Sequence, residues 1–184
     1  MGEWDDAATG GAYEDDILGW SADQAARLRR VAAGEAAPGA AGVDWANVVD
    51  EVEGVGRSIR ATVHERLFDG LRLVLMAHRW PGHPEAGRWL DAADHALGTA
   101  RKFADPGMEG RLDLDGVWRD AREAVEEAET AGRAPRPLPA AVPFGFRDLR
   151  DPAACNAYAL LRRVEAAAAA EAAGEEGGGG DPPR

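Results

Sequence analysis

Residues 44–67 read DWANVVDEVEGVGRSIRATVHERL, and the spacing of the apolar side chains in this stretch decides the fold. Branched apolar residues return every three or four positions, at Val48, Val52, Val55, Ile59, Val63 and Leu67. Because this is the period of an α-helix, the stretch predicts a helix of about five turns or more with one apolar face. Asp44 is a suitable N-cap for that helix.

Two glycines interrupt the stretch, at positions 54 and 56. In a helix each costs about 1 kcal/mol relative to alanine. We therefore expect close helix packing, a kink or a site at Gly54 and Gly56 that offsets this cost.

The same helix becomes apolar on all sides after Gly70, over residues 71–76. Such a segment is typical of the centre of a bundle or of a subunit interface. The sequence therefore gives four interface candidates: Leu71, Leu75, Met76 and Trp80.

Helical periodicity continues on both sides of this central helix, and no stretch alternates apolar and polar residues as a half-buried strand does. We predict an all-α, single-domain helical bundle with about four core helices, an extended Pro-rich segment over 133–146 and an Ala-rich C-terminal helix. The other core helices are predicted near 13–31, near 85–103 and from about 108 or 114 to 130, with a turn at 105–107. The predicted organisation is a disordered acidic N-terminus (1–12), the bundle domain (13–150), the C-terminal helix (151–173) and a disordered tail (174–184).

Composition limits the location and the partners of the protein. Its 21 basic and 33 acidic residues give a net charge of −12, which disfavours nucleic acid as a partner. Cys155 is the single cysteine, so no intrachain disulfide can form. The first residues are acidic, unlike a signal peptide, and no apolar run is long enough for a bilayer. We predict a cytoplasmic protein that does not bind membranes.

Charge is unevenly placed along the chain. Positions 57–80 hold five Arg against two acids, whereas positions 105–129 hold nine acids against three Arg. We interpret this as mutual neutralisation across the bundle. The alternative is a basic groove for an acidic partner or nucleic acid.

The acids that follow Asn47 are the strongest candidates for chemistry. Asp50 and Glu53 lie three residues apart and share a helix side with Asn47, whereas Glu51 points elsewhere. Oxygen ligands of this kind suit hard divalent cations. The alternative is that Glu53 pairs with Arg57 four residues later and that the other side chains are solvated, which we favour.

A second acidic group lies on the predicted third helix. Asp91, Asp94 and His95 occupy positions i, i+3 and i+4, so two or three of them could meet one metal ion. A solvated helix face is the favoured interpretation here too. We predict no cofactor, with a divalent metal as the alternative.

Several stretches resemble one bacterial family. They are Tyr13-Glu14-x-Asp16-Ile17-x-x-Trp20, Asn47-Val48-x-Asp50-Glu51-Val52-Glu53-x-Val55-Gly56-Arg57-Ser58, and Arg79-Trp80 followed by Pro84 and Trp89. On these residues the chain resembles the family catalogued as domain of unknown function 29. The resemblance covers about three quarters of the chain and implies an all-helical bundle, but it implies no activity.

Two functions are consistent with these observations. The first is a non-catalytic protein-interaction module that associates with itself or with a protein partner through the apolar 71–76 segment. This hypothesis is favoured because no catalytic motif is present. The second is a metal-dependent hydrolytic enzyme that uses Asn47, Asp50, Glu51 and Glu53.

Overall fold

The structure is a computed structural model that describes residues 15–35, 45–128 and 134–177, with side chains for 15–35, 49–128 and 134–174. These residues form six α-helices and no strand, which confirms the predicted all-α class. The helices are α1 (Ile17–Ala32), α2 (Trp45–Arg79), α3 (Ala86–Phe103), α4 (Leu114–Glu126), α5 (Phe146–Arg150) and α6 (Ala157–Gly177). The predicted N-terminus 1–12, the cap Asp44 and tail residues 178–184 lie outside the described residues.

The chain divides into two compact units. One comprises Met1–Thr62 with Phe103–Leu112, and the other comprises Val63–Lys102 with Asp113–Arg184. Helix α2 supplies its first half to the first unit and its second half to the second.

In the first unit, α1 begins at a clear cap. The carboxylate of Asp16 accepts a hydrogen bond from the backbone N–H of Gly19 at 2.7 Å, which satisfies one of the free donors of the first turn. The buried side of α1 consists of Ile17, Leu18, Ser21 and Ala25.

This buried side of α1 lies close to Gly56 of α2. A Cβ atom at Gly56 would lie 2.6 Å from Ser21 Oγ and 3.0 Å from Leu18 Cδ2, so only glycine permits this approach of the two helices. Close packing therefore offsets the helical cost of Gly56, as expected. At Gly54 the nearest atom to such a Cβ is Arg57 Nη2 at 3.8 Å, so the expected compensation by packing is absent there.

Only the last part of the predicted stripe of α2 is fully buried: Val63 and Leu67 are buried, whereas Val52 and Ile59 are half-buried. Val55 is 41% exposed, whereas Val49, Gly56 and Val63, each seven residues from the next, are buried. The prediction counted only large apolar side chains. It therefore assigned the face to Val55 and overlooked the glycine that allows α1 to pack.

The core of the second unit includes residues 71–76, the part of α2 that is apolar on all sides. Leu71, Val74 and Leu75 are fully buried, and Leu73 is half-buried. Val63 and Leu67 of α2 are fully buried in the same unit. Each of the other helices of the unit also contributes side chains that are at most 2% exposed, namely Leu97, Val117, Trp118, Val125, Leu149, Leu160 and Val164.

The Pro-rich segment packs against helices of the second unit. The backbone N–H of Arg136 donates to Arg79 O at 2.8 Å, and His78 Nε2 lies 3.0 Å from Pro137 O. Leu138 and Phe144 are buried. The segment is therefore fixed by both backbone hydrogen bonds and apolar contacts.

The bounds of the last two helices differ from the prediction. The short helix α5 was not expected, and α6 begins at Ala157 instead of residue 151. The predicted turn at 105–107 is formed by a 3-10 helix over Pro106–Met108. Asn156 Oδ1 accepts from the backbone N–H of Ala159 at 2.9 Å and so caps α6. Helix α6 also continues to Gly177, past the predicted end at 173.

Cys155 consequently lies in the turn before α6 and not in a helix. It is buried, and burial raises its pKa to about 11 because the thiolate is disfavoured away from water. Such a thiol has little nucleophilic character.

None of the described helices combines the length and apolar character that crossing a lipid bilayer requires.

Candidate functional site

An open cleft of about 470 Å³ is present in the first unit. Helix α1 provides Leu18, Ser21, Ala22 and Arg29, helix α2 provides Glu53, Gly56, Arg57 and Arg60, and Arg111 follows the 3-10 helix. Four guanidinium groups thus surround one carboxylate. We call this the arginine cleft.

Helical spacing explains why these side chains converge. Glu53, Arg57 and Arg60 are separated by four and three residues, so they share one side of α2. Gly56 lies between them in the sequence and is buried, because α1 packs against it. The floor of the cleft is thus the place where α1 approaches α2, and the charged side chains of both helices stand beside it.

Ion pairs hold three of the four arginines. Glu53 Oε1 accepts from Arg29 Nη2, Glu53 Oε2 lies 3.4 Å from Arg57 Nη1, and Arg111 Nη1 lies 3.1 Å from Asp16 Oδ1. Arg60 makes no hydrogen bond or ion pair with any described residue. The lining therefore carries four positive charges and one negative charge, in a chain whose net charge is −12.

The acid pair Asp16 and Asp105 lies at the start of α1. Both carboxylate oxygens of Asp105 are buried without a hydrogen-bond partner of normal geometry among the described residues. Burial raises the pKa of Asp105, and the nearby charge of Asp16 adds to this, although backbone N–H groups, that of Gly107 above all, act in the opposite direction.

Replacement of Asp105 by Asn is expected to increase the free energy of unfolding at pH 7 by about 0.5–1 kcal/mol. The expected gain is small because Asp105 is only half-buried, so that solvent screens part of its charge. Because the pKa of Asp105 is higher in the folded state, its ionised form destabilises the fold above that pKa. As the pH falls through the folded pKa, the native protein binds the proton and the advantage of the variant shrinks. Urea unfolding at pH 7 and pH 4 measures both effects.

Asp120→Asn is the control for this measurement, since Asp120 is exposed. A D105N protein that is less stable than the parent at pH 7 would contradict the prediction.

The acids that the sequence grouped around Asn47 differ in their exposure and contacts. Asp50 and Glu51 are exposed, whereas Glu53 lies in the arginine cleft and makes the predicted pair with Arg57. The side chain of Asn47 lies outside the described set. Within that set, no three side chains of His, Cys, Asp or Glu gather as a metal site would require. Metal binding at Asp50, Glu51 and Glu53 stays a prediction.

The second acidic group occupies an exposed face of α3. Asp91 and His95 are exposed. Asp94 Oδ1 accepts from the backbone N–H of Ala157 at 3.2 Å, at the first residue of α6. Asp94 therefore contacts the N-terminus of α6. Metal binding at Asp91 and His95 stays a prediction.

Three of the four predicted interface residues are buried within the chain. Leu71, Leu75 and Trp80 are at most 2% exposed. Met76 is half-buried, and Arg72 Nη1 lies 3.4 Å from its sulfur. Of the two interpretations of the apolar segment, its burial favours the centre of a bundle. Self-association stays a prediction.

Sequence reasoning missed Arg29, Arg60 and Arg111 as members of a site. Arg57 and Arg60 belong to the basic stretch 57–80, and their place in the cleft supports the alternative of a basic groove. The spacing of Glu53, Arg57 and Arg60 was a usable signal. Nothing local in the sequence indicates that Arg29 and Arg111 join them.

Comparison with known proteins identifies a family. The model described as Domain of unknown function DUF29 matches residues 12–153, which confirms the resemblance seen in the sequence. The chain is also similar to an α-helical protein of unknown function from Rhodospirillum rubrum, known from a crystal structure. The identity is 23%, the TM-score is 0.67, and the match covers 83% of this chain and 96% of that chain. This likeness shows the fold alone. No curated protein matches the chain.

Proposed function

Since the chain belongs to the family described as Domain of unknown function DUF29, which brings no activity with it, we propose a function from the arginine cleft: the protein is a non-catalytic binding module for an anionic ligand. The observation that carries this proposal is the convergence of four guanidinium groups on one cleft in a strongly acidic chain. Guanidinium groups match carboxylate and phosphate oxygens in geometry as well as in charge.

The size and floor of the cleft support a small ligand. Its volume of about 470 Å³ lies within the range of small-molecule sites. Leu18, Ala22 and Gly56 add apolar surface beside the charges. An anion with an apolar portion would contact both.

The remaining lining residues support a role without catalysis. The hydroxyl of Ser21 donates to Leu18 O at 3.1 Å and is buried, so it is not poised as a nucleophile. The described lining residues include no His, Cys or Lys that could act as a general base or a nucleophile at neutral pH. Binding of an anion needs none of these groups, whether the anion is a small molecule or an acidic side chain of a protein partner.

The test is titration calorimetry with sodium pyrophosphate. The wild-type chain is expected to bind it, and Arg60→Glu should weaken the binding at least about 10-fold, because a charged contact is lost and a repulsive one is added. Affinity should also fall as salt is raised, since the cleft is open to solvent.

Arg66→Glu is the matched control. It changes the net charge by the same amount, on the same helix, at a side chain that is 48% exposed and outside the cleft. Absence of binding by the wild type at millimolar pyrophosphate would overturn the proposal, and so would an equal loss in the two variants.

A further inference from the structure

Glu53 is the single acid among the residues that line the arginine cleft, and both of its oxygens are engaged. One contacts Arg29 of α1 and the other contacts Arg57 of α2. Only 29% of the Glu53 side chain is exposed. The Glu53 carboxylate is therefore already paired with two of the four guanidinium groups to which a ligand anion could bind.

The four arginines consequently fall into two classes. Arg29 and Arg57 are neutralised by Glu53, whereas Arg60 has no partner among the described residues. Arg111 is held by Asp16, which does not line the cleft. Among the described residues, a ligand therefore meets the unpaired guanidinium of Arg60 and that of Arg111, which is paired with an acid outside the cleft, beside a carboxylate that repels it.

A ligand with a single anionic group, such as inorganic phosphate, gains little from this arrangement. It can pair with Arg60, but an exposed pair of this kind contributes about 0–1 kcal/mol. It lacks the second anionic group needed to compete with Glu53 for Arg29 and Arg57.

A ligand with two adjacent anionic groups meets a different site. One group pairs with Arg60 and Arg111, while the other replaces the Glu53 carboxylate. The pairs that must break are weak, because the side chains of Arg29 and Arg57 are 53% and 58% exposed. The released Glu53 is solvated again at little cost.

We propose that Glu53 is an internal counter-ion that makes the arginine cleft selective for ligands with two or more adjacent phosphate or carboxylate groups. This inference rests on the proposed function, because it assigns the ligand class of the same cleft. It also identifies Glu53 as the residue that determines specificity.

The experiment compares Glu53→Gln with the wild type, using inorganic phosphate, pyrophosphate and ADP as probes in calorimetry. The wild type should bind pyrophosphate at least about 10-fold more tightly than phosphate. In E53Q the affinity for phosphate should rise about 10-fold, so that the preference for pyrophosphate narrows. Equal binding of ADP and pyrophosphate assigns the site to the diphosphate alone, and tighter ADP binding assigns it to a nucleoside diphosphate.

Glu51→Gln is the matched control, since it removes the same charge two residues away at an exposed position. Equal gains in E51Q and E53Q would overturn the inference, because they would indicate a general charge effect. If the wild type binds pyrophosphate but E53Q leaves its preference over phosphate unchanged, this inference fails and the proposed function stands. If neither protein binds any probe, the proposed function fails as well.

Discussion

Replacement of Trp118 by alanine is expected to lower the free energy of unfolding by about 3–5 kcal/mol, the usual cost of removing a buried aromatic side chain. Trp118 is 2% exposed on α4, and Ala121 and Val125 on the same face are fully buried. The loss of the indole leaves a cavity that this packed core cannot refill. Urea unfolding followed by far-UV circular dichroism measures the change.

Trp118→Phe separates the contribution of ring packing from that of the indole N–H. The indole Nε1 of Trp118 is buried without a hydrogen-bond partner among the described residues, and such a donor costs about 1–3 kcal/mol. Phenylalanine keeps most of the ring and removes that donor, so its cost should be well below that of alanine. The control is Arg119→Ala, whose side chain is 65% exposed and should change stability by no more than about 0.5 kcal/mol. Equal losses for the alanine and phenylalanine variants would show that ring packing is not the main contribution.

Replacement of Gly70 by valine is expected to destabilise the protein by about 2–3 kcal/mol. A Cβ atom at this position would lie 2.7 Å from Leu97 Cγ and 3.4 Å from the backbone oxygen of Ala93. Leu97 is fully buried and cannot move aside, so α2 and α3 would have to separate. The decrease in melting temperature and the urea midpoint measure this cost.

Gly54→Ala in the same helix should have the opposite sign. Its Cβ meets only the end of the Arg57 side chain, so the gain in helix propensity of up to about 1 kcal/mol is not offset by a clash. If both glycine variants destabilise the protein alike, then backbone requirements and not side-chain space govern these positions.

The helices were largely predictable because their apolar period is local information. Helix α2 appears as one continuous element, as the spacing from Val48 to Leu67 indicated. Helix α5 was missed because its five residues are too few to show a period after the prolines. The start of α6 was placed too early because Asp151 and Pro152 resemble a helix start, whereas Asn156 is the cap that the structure uses.

The candidate site was predictable only where it is local. Glu53 and Arg57 are four residues apart, and their pair was expected. Arg29 is 24 residues from Glu53, and Arg111 is 95 residues from Asp16. No periodicity within one helix reports contacts between distant segments, so the role of Gly56 in bringing α1 to α2, and the cleft that results, required the structure.

Helix α6 has a consequence for how this domain is delimited. The family match ends at residue 153, before α6 begins, yet Leu160 and Val164 of that helix are at most 1% exposed and Glu171 accepts the backbone N–H of Ala140 at 3.0 Å. The family match and the segment that folds together therefore end at different places. A chain truncated at residue 153 would lose α6 and, with it, side chains that are buried in the core of the second unit.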